Sequence, residues 1–412
     1  MKLPGKGSGN KLALILSLLI SYLCFGQEYE VSVTTVSVWV KVTKKSGESV
    51  QNLTADDFEV SEDKKKVAIT CFEETKIGLA SLQTQQTPES FPSTQTAEQD
   101  SQSKRVVLFL DLFNTSQPEY LFMKTKILEF INRTPKQWTF MVAVLQPQGL
   151  LQFVIPKTSD VSVVASSLEK LKANAKRDIS QLNNRRMIAT ILETDVGENG
   201  IRKACQLARR YAAEERVEIN FSIQSLDAFE KYITNSKDDV HTVVAFVSGG
   251  INARPGQQYF DLISGGDSWE FSKSYPECEP QSGSDIEKDL RKLIARMNRH
   301  NMTFYTINSR GMVNPLLDTS GESSRRIKSS DFEFHKYYQD LMFQMANETG
   351  GLAFDNSLNF KFGFNQIVQD LNHQYLICYN APGHKKPGEY HEIKVKCKQR
   401  DTLLRYRKGY SD

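Results

Sequence analysis

Two hydrophobic periods take turns along the chain. In the stretch from Val31 to Phe72, Val36, Val38, Val40 and Val42 alternate with Ser37, Trp39 and Lys41. A period of two marks a strand with one face buried. Turns at Lys45–Glu48 and Glu62–Lys65 divide this stretch into a small antiparallel unit. It has too few strands to stand as a sheet on its own. From Val106 the pattern changes. Val106 to Leu110 are apolar without interruption and end on Asp111. A run this short reads as a strand buried on both faces inside a parallel sheet. Similar runs fall at Thr139–Leu145, His241–Val247 and Met302–Ile307, with a short one at Gly351–Phe354 and a hairpin partner or edge strand at Leu150–Ile155.

Helical signals fall between these runs, near Pro118–Asn132, Val161–Leu171, Ile201–Ile233, Ile286–Met297, Phe332–Ala346 and Phe360–Leu371. Pro118 suits the first turn of its helix, with Ser116 or Gln117 as cap. The long helix has a potential break near Glu214-Glu215, and Arg177–Gly200 reads as irregular. Strand and helix in alternation predict a doubly wound, mostly parallel α/β sheet with helices on both faces. After His373 the period returns to two. Tyr375–Tyr379 is one strand, Leu403–Tyr406 another, and between them Ile393, Val395 and Cys397 alternate with Lys394, Lys396 and Lys398. This lysine row has two readings: a surface for an anionic partner, or a solvated strand face that discourages edge pairing.

The two β segments are each incomplete, and each supplies what the other lacks. The expected organisation is therefore an α/β domain, 105–372, inserted into a small antiparallel β-sandwich whose parts are 27–75 and 373–412. Residues 76–104 are rich in Gln, Ser, Thr and Pro and read as a flexible linker.

The amino terminus adds a location. Lys2, Lys6 and Lys11 precede the apolar run Leu12–Ile20, and Cys24-Phe25-Gly26 supplies small residues for cleavage after Gly26. This is the pattern of a secretory signal peptide, 1–26. The run is shorter than the roughly 20 residues a bilayer span needs, so no membrane span is expected after cleavage. The expected location is secreted or periplasmic. Cys71, Cys205, Cys278, Cys378 and Cys397 remain, an odd number that leaves at least one thiol unpaired or shared between chains. Any pair among Cys71, Cys378 and Cys397 is open. Asn52, Asn114, Asn132, Asn301 and Asn347 head N-x-S/T triplets, glycan acceptors in a eukaryotic secretory pathway.

Charge and motifs narrow the function. The net charge of +3 makes no electrostatic case for nucleic acid. The histidines are scattered, and no HExxH, GxSxG or phosphate-cradling glycine loop occurs. No Cys/His cluster suggests zinc. Asp111 stands out because it ends a central strand, where open α/β sheets place their ligands. Its structural alternative is to cap its own turn and the start of the next helix. Long loops at that end, Arg177–Gly200, Ile251–Ser284 and Ser309–Asp331, are natural binding elements. The second carries Tyr259, Phe260, Trp269, Phe271 and Tyr275, either contact anchors or a small core of its own.

The strand ending on Asp111 and the later one ending on Ser248-Gly249-Gly250 resemble a von Willebrand factor type A domain. More closely, the chain resembles a secreted bacterial family of von Willebrand factor A-related proteins known mainly from acidobacterial genomes. The matching pieces are Leu53–Asp63, Asp111 with Asn114-Thr115, Phe246–Gly250, Thr349-Gly350-Gly351, and the tail from Tyr375 to Arg407-Lys408-Gly409-Tyr410. That resemblance implies a divalent-ion site, magnesium or calcium, above the sheet. Asp111 matches its first ligand, Thr115 stands for a second, and Ser248 lies on the third loop. Thr190 or Thr194 would come from the second loop. Phe113 replaces one hydroxyl ligand and Ser248-Gly249 replaces a Thr-Asp pair, so the site is degenerate and no bound cofactor is the primary expectation. The function implied is a non-enzymatic adhesion-type module that binds a protein or cell-surface partner through the strand-end loops. A metal-dependent adhesin and an exported hydrolase with a spatially assembled site are the alternatives.

Overall fold

The computed structural model describes residues 34–76, 105–135, 138–173, 177–235, 241–265, 271, 273–280, 283–309, 338–354, 360–383 and 388–411. The expected leader, the linker beyond Lys76, Trp269 and the loop beyond Ser309 lie outside them.

The first segment forms β1 (Thr35–Lys44), β2 (Phe58–Glu62), β3 (Lys65–Val67) and β4 (Ile69–Lys76). The α/β region follows with β5 (Arg105–Asp111), α1 (Gln117–Ile131), β6 (Thr139–Leu145), β7 (Leu151–Thr158), α2 (Val161–Lys170), α3 (Arg177–Thr194) and α4 (Glu198–Thr234). It continues with β8 (Thr242–Ser248), α5 (Gln257–Ser264), α6 (Ser284–Arg299), β9 (Met302–Asn308), α7 (338–349), β10 (Ala353–Phe354) and α8 (Phe360–Asn372). The tail supplies β11 (His373–Asn380), β12 (Tyr390–Cys397), β13 (Thr402–Arg405) and β14 (Gly409–Ser411).

The central sheet has six strands in the order β10-β9-β8-β5-β6-β7. All pair in parallel except β7, which returns antiparallel on β6. Every residue of β5, β8 and β9 is buried, which explains their unbroken apolar sequences. One face packs Val106, Leu108 and Leu110 against Met123 and Ile127 of α1 and Ile367 and Leu371 of α8. The other packs Val107 and Phe109 against Phe229 of α4, Leu290 of α6 and Met345 of α7. The fold is thus mixed α/β with a mostly parallel central sheet, accompanied by antiparallel sheets.

Those antiparallel sheets have the orders β13-β1-β11-β4 and β14-β12-β2-β3, so each draws strands from both ends of the chain. They share a core in which Val38, Val40 and Val60 meet Tyr375, Ile377 and Val395. Cys71 on β4 and Cys378 on β11 stand opposite each other and form a disulfide spanning 307 residues. Cys397 is the free thiol.

The structure corrects the expected loops in two places. Arg177–Thr194 is helix α3, not irregular chain, and α4 runs unbroken for 37 residues through Glu214-Glu215. Inside the expected loop Ile251–Ser284, Gln257–Ser264 forms α5, with Tyr259 and Phe260 buried. These elements pack on one another around Ile188, Ala208, Tyr211, Tyr259, Phe260 and Leu262. The Cys205–Cys278 disulfide closes this cluster. Tyr259 and Phe260, with Phe271 and Tyr275 packed against them, therefore build a small core and are not exposed anchors.

Candidate functional site

The strand order places the topological switch point between β5 and β8. β5 leads on one side to β6, while the chain reaches β8 on the other side only later. The crevice beyond the carboxyl ends of these strands is where such sheets hold ligands. Asp111 and Ser248 end the two strands in register, and Asn308 ends β9 beside Ser248.

Asp111 and Ser248 meet through a hydrogen bond, while Thr115 is engaged by Ser309. Asp111, Thr115 and Ser248 are all fully buried. The Asp111 carboxylate accepts from the Asn114 backbone N–H on Oδ1 at 2.9 Å. On Oδ2 it accepts from Asn114 Nδ2 and from the Ser248 hydroxyl, each at 2.6 Å. Asn114 Nδ2 also donates to Ser222 Oγ of α4 at 2.7 Å, and Gly250 N–H donates to Ser248 Oγ at 3.0 Å. Thr115 Oγ1 pairs instead with Ser309 Oγ at 3.1 Å. The next residues start α1 with Ser116 as cap, and Glu119 returns a bond to the Ser116 N–H at 2.9 Å.

This donor set does not fit a hard divalent ion, which wants several oxygens offering lone pairs and one or two free carboxylates. Both Asp111 oxygens are turned toward N–H and O–H groups, and the Ser248 hydroxyl spends its proton on Asp111. No carboxylate occupies Ser248-Gly249-Gly250. Phe113 turns away and packs edge-on against Phe221 of α4, ring centres 6.0 Å apart. Thr190 and Thr194 are exposed on α3, where the Thr194 hydroxyl bonds the Thr190 carbonyl at 2.8 Å. They stand outside the cluster. Asn114, though it heads an N-x-S/T triplet, is buried and engaged, so it cannot accept a glycan in the folded chain.

A second polar hub stands beside the first. Glu215, midway along α4, is buried where the chain pattern allows a break. Asn252 Nδ2, Gly256 N–H and Tyr259 OH donate to its carboxylate at 3.2, 2.8 and 3.0 Å, and Gln258 Nε2 makes a further bond. Burial pushes this carboxyl above its ordinary value, against the lowering effect of its donors. A cavity of ≈10 Å³ lies between the hubs, lined in part by Asn114, Glu215, Ser222 and Asn252. That is about the room one water needs. Ser222, Ser309, Asn252 and Glu215 carry no motif, and only the fold brings them to Asp111.

The outer rim is apolar. Phe221 is 39% exposed, Val217 one turn earlier 53%, and Leu150 at the β6–β7 turn 68%. Gly149, at φ +81°, lies so close to the Phe221 ring that a Cβ there would sit 3.2 Å from it. Phe113, Gly149, Leu150, Val217 and Phe221 therefore border the crevice together.

Among the described residues, Glu62, Asp63 and His391 form the one close cluster of metal-ligand type, and it lies on the antiparallel sheet of β2 and β12. There His391 Nδ1 pairs with Asp63 at 2.8 Å, and Tyr379 and Tyr410 donate to Glu62. The described histidines lie away from the crevice. His241 and His300 precede β8 and β9 at the amino end of the sheet, and His373 and His391 belong to β11 and β12.

No protein-family model matches the chain, and no curated protein matches it. Among solved structures it is similar to the conserved hypothetical protein BatB from Bacteroides thetaiotaomicron, at 11% identity over 65% of this chain and 97% of that one, TM-score 0.27. It is also similar to a von Willebrand factor type A protein from Catenulispora acidiphila, at 9% identity over 75% of this chain and 66% of that one, TM-score 0.28. At TM-scores this low neither likeness carries an argument about family or function.

Proposed function

We propose that the chain is a secreted, non-enzymatic binding module of the von Willebrand factor A-related type, docking a protein that presents an apolar segment to the carboxyl-end rim. The observation that carries this reading is the set of exposed apolar residues Leu150, Val217 and Phe221 beside the switch point, backed by half-buried Phe113. Exposed apolar side chains held together on a rigid scaffold mark interaction sites. The two disulfides support an oxidising, extracytoplasmic location. Among the described residues no helix is long and apolar enough to cross a membrane. The Asp111 cluster, in this reading, orders the crevice and holds no ion.

The test is capture of partners from the extracytoplasmic fraction, with and without chelator, by the native chain and by Phe113→Ser/Phe221→Ser. A partner lost with the double variant and indifferent to chelator supports the proposal. A partner released by chelator favours a metal-dependent adhesin, and one held equally by both chains refutes the rim. Turnover in a hydrolase screen, lost on one point substitution, would establish the exported-enzyme alternative.

A further inference from the structure

Away from the crevice, a groove of ≈600 Å³ runs between α7 and the tail, lined in part by the edge strands β10 and β13. Leu352, Leu404 and Phe343, the last 43% exposed, give it apolar walls. Tyr406, Lys408 and Glu348 also line it.

Lys408 is set apart from the other cations of the chain. Exposed lysines keep their water and need no partner. Lys408 is half-buried and has given part of that water up. Among the described residues, every other half-buried lysine or arginine pairs with a carboxylate: Lys124 with Glu169, Lys126 with Glu129, Arg216 with Asp285, Arg296 with Asp227, and Arg405 with Asp370. Lys408 forms no salt bridge with any described residue, Glu348 included. Its Nζ stands over the Tyr406 ring, 4.2 Å from the centre. A ring face offsets a dehydrated ammonium less than a carboxylate does. Burial accordingly pushes this ammonium below its ordinary value, against the opposing field of Glu348.

We propose that the groove binds a monocarboxylate with an apolar body, a medium-chain fatty acid, its carboxylate on the Lys408 ammonium and its chain along Phe343, Leu352 and Leu404. A mostly apolar concavity with a few polar groups is the common make-up of small-molecule sites, and the volume falls in their range. One ammonium matches one negative charge. Glu348 in the same groove repels a second, so a phosphate dianion is the poorer fit. The walls are held in place before any ligand arrives. Lys408 N–H donates to the Glu348 carbonyl at 2.9 Å, and Gly350 packs so tightly on the tail that a Cβ there would lie 2.5 Å from the Tyr406 carbonyl carbon. A site fixed in advance loses less on binding.

Calorimetric titration of decanoate into full-length protein tests this. Decanol keeps the tail without the charge, and butyrate keeps the charge on a short tail. The native chain is compared with Lys408→Gln, Lys408→Arg and Glu348→Gln, and melting temperature is recorded for each. The expected result is saturable decanoate binding by the native chain, weakened roughly tenfold or more in Lys408→Gln at unchanged melting temperature. Lys408→Arg keeps the binding and Glu348→Gln tightens it, while decanol and butyrate bind the native chain roughly tenfold more weakly or worse. A native chain without saturable decanoate binding overturns the proposal. So do equal affinities in the native chain and Lys408→Gln, or decanol or butyrate bound as tightly as decanoate. Should Lys408→Gln melt early, Glu348→Gln decides: tighter binding supports the proposal, and unchanged or weaker binding overturns it.

Discussion

Each end of the central sheet holds a buried aspartate, and the two are built differently. At the amino end, Asp370 of α8 takes both oxygens into a paired contact with Arg405 of β13, each at 2.7 Å. Tyr305 of β9 donates to it at 2.6 Å and Gln366 at 3.0 Å, while Lys41 of β1 bonds its carbonyl. Trp39 stacks on His241 alongside, ring centres 4.8 Å apart. The network ties β1 and β13 of the antiparallel sheets to the parallel one and seals that end. At the carboxyl end, Asp111 is held by an amide and a hydroxyl from its own neighbourhood, and the apolar rim lies open outside it. One buried carboxylate is a bolt between two parts of the fold; the other orders a turn beneath an exposed surface.

The largest effect should come from the bolt. Asp370→Asn leaves the Arg405 guanidinium buried without its counter-charge, which destabilises by about 3–5 kcal/mol. Denaturant unfolding measures it. Asp111→Ala removes the acceptor for three donors and should destabilise less, about 1–3 kcal/mol, since neutral donors can partly rearrange. Equal losses at the two sites would erase the distinction between bolt and turn.

Acid titration sharpens the contrast further. Burial alone would raise the Asp370 carboxyl, but the charges and bonds of Arg405 and Lys41 outweigh it and hold it below its ordinary 3.8. Its contribution is present above that value and fades as pH falls through the depressed native one. Glu215 is shifted the other way, above 4.5 by burial. Its contribution is present below that value and fades as pH rises through the raised native one. Stability measured against pH should therefore lose part of its acid-side slope in Asp370→Asn. In Glu215→Gln it should lose part of the decline on the rising side. Identical pH profiles for the native chain and both variants would refute these assignments.

The parallel core was legible because burial on both faces leaves no room for polar residues in β5, β8 or β9. The cover over the carboxyl end was not. α3 carries Gln181, Asn183, Asn184, Arg185 and Arg186 in one stretch, so its helical period is faint. Glu215 looked like a break in α4 because its donors stand 37 to 44 residues away. The pairing of Cys71 with Cys378 depends on strand register, which no hydrophobic period discloses. Asp111 was legible as a strand end, with Asn114 and Ser248 near it by resemblance; that their donors engage both its oxygens was not.

The most direct test is calorimetric titration of magnesium and calcium into the native chain and into Asp111→Asn. A carboxylate already saturated by N–H and O–H donors predicts no saturable heat from either ion in either protein. Saturable binding by the native chain that Asp111→Asn abolishes would contradict it and restore the crevice as an ion site.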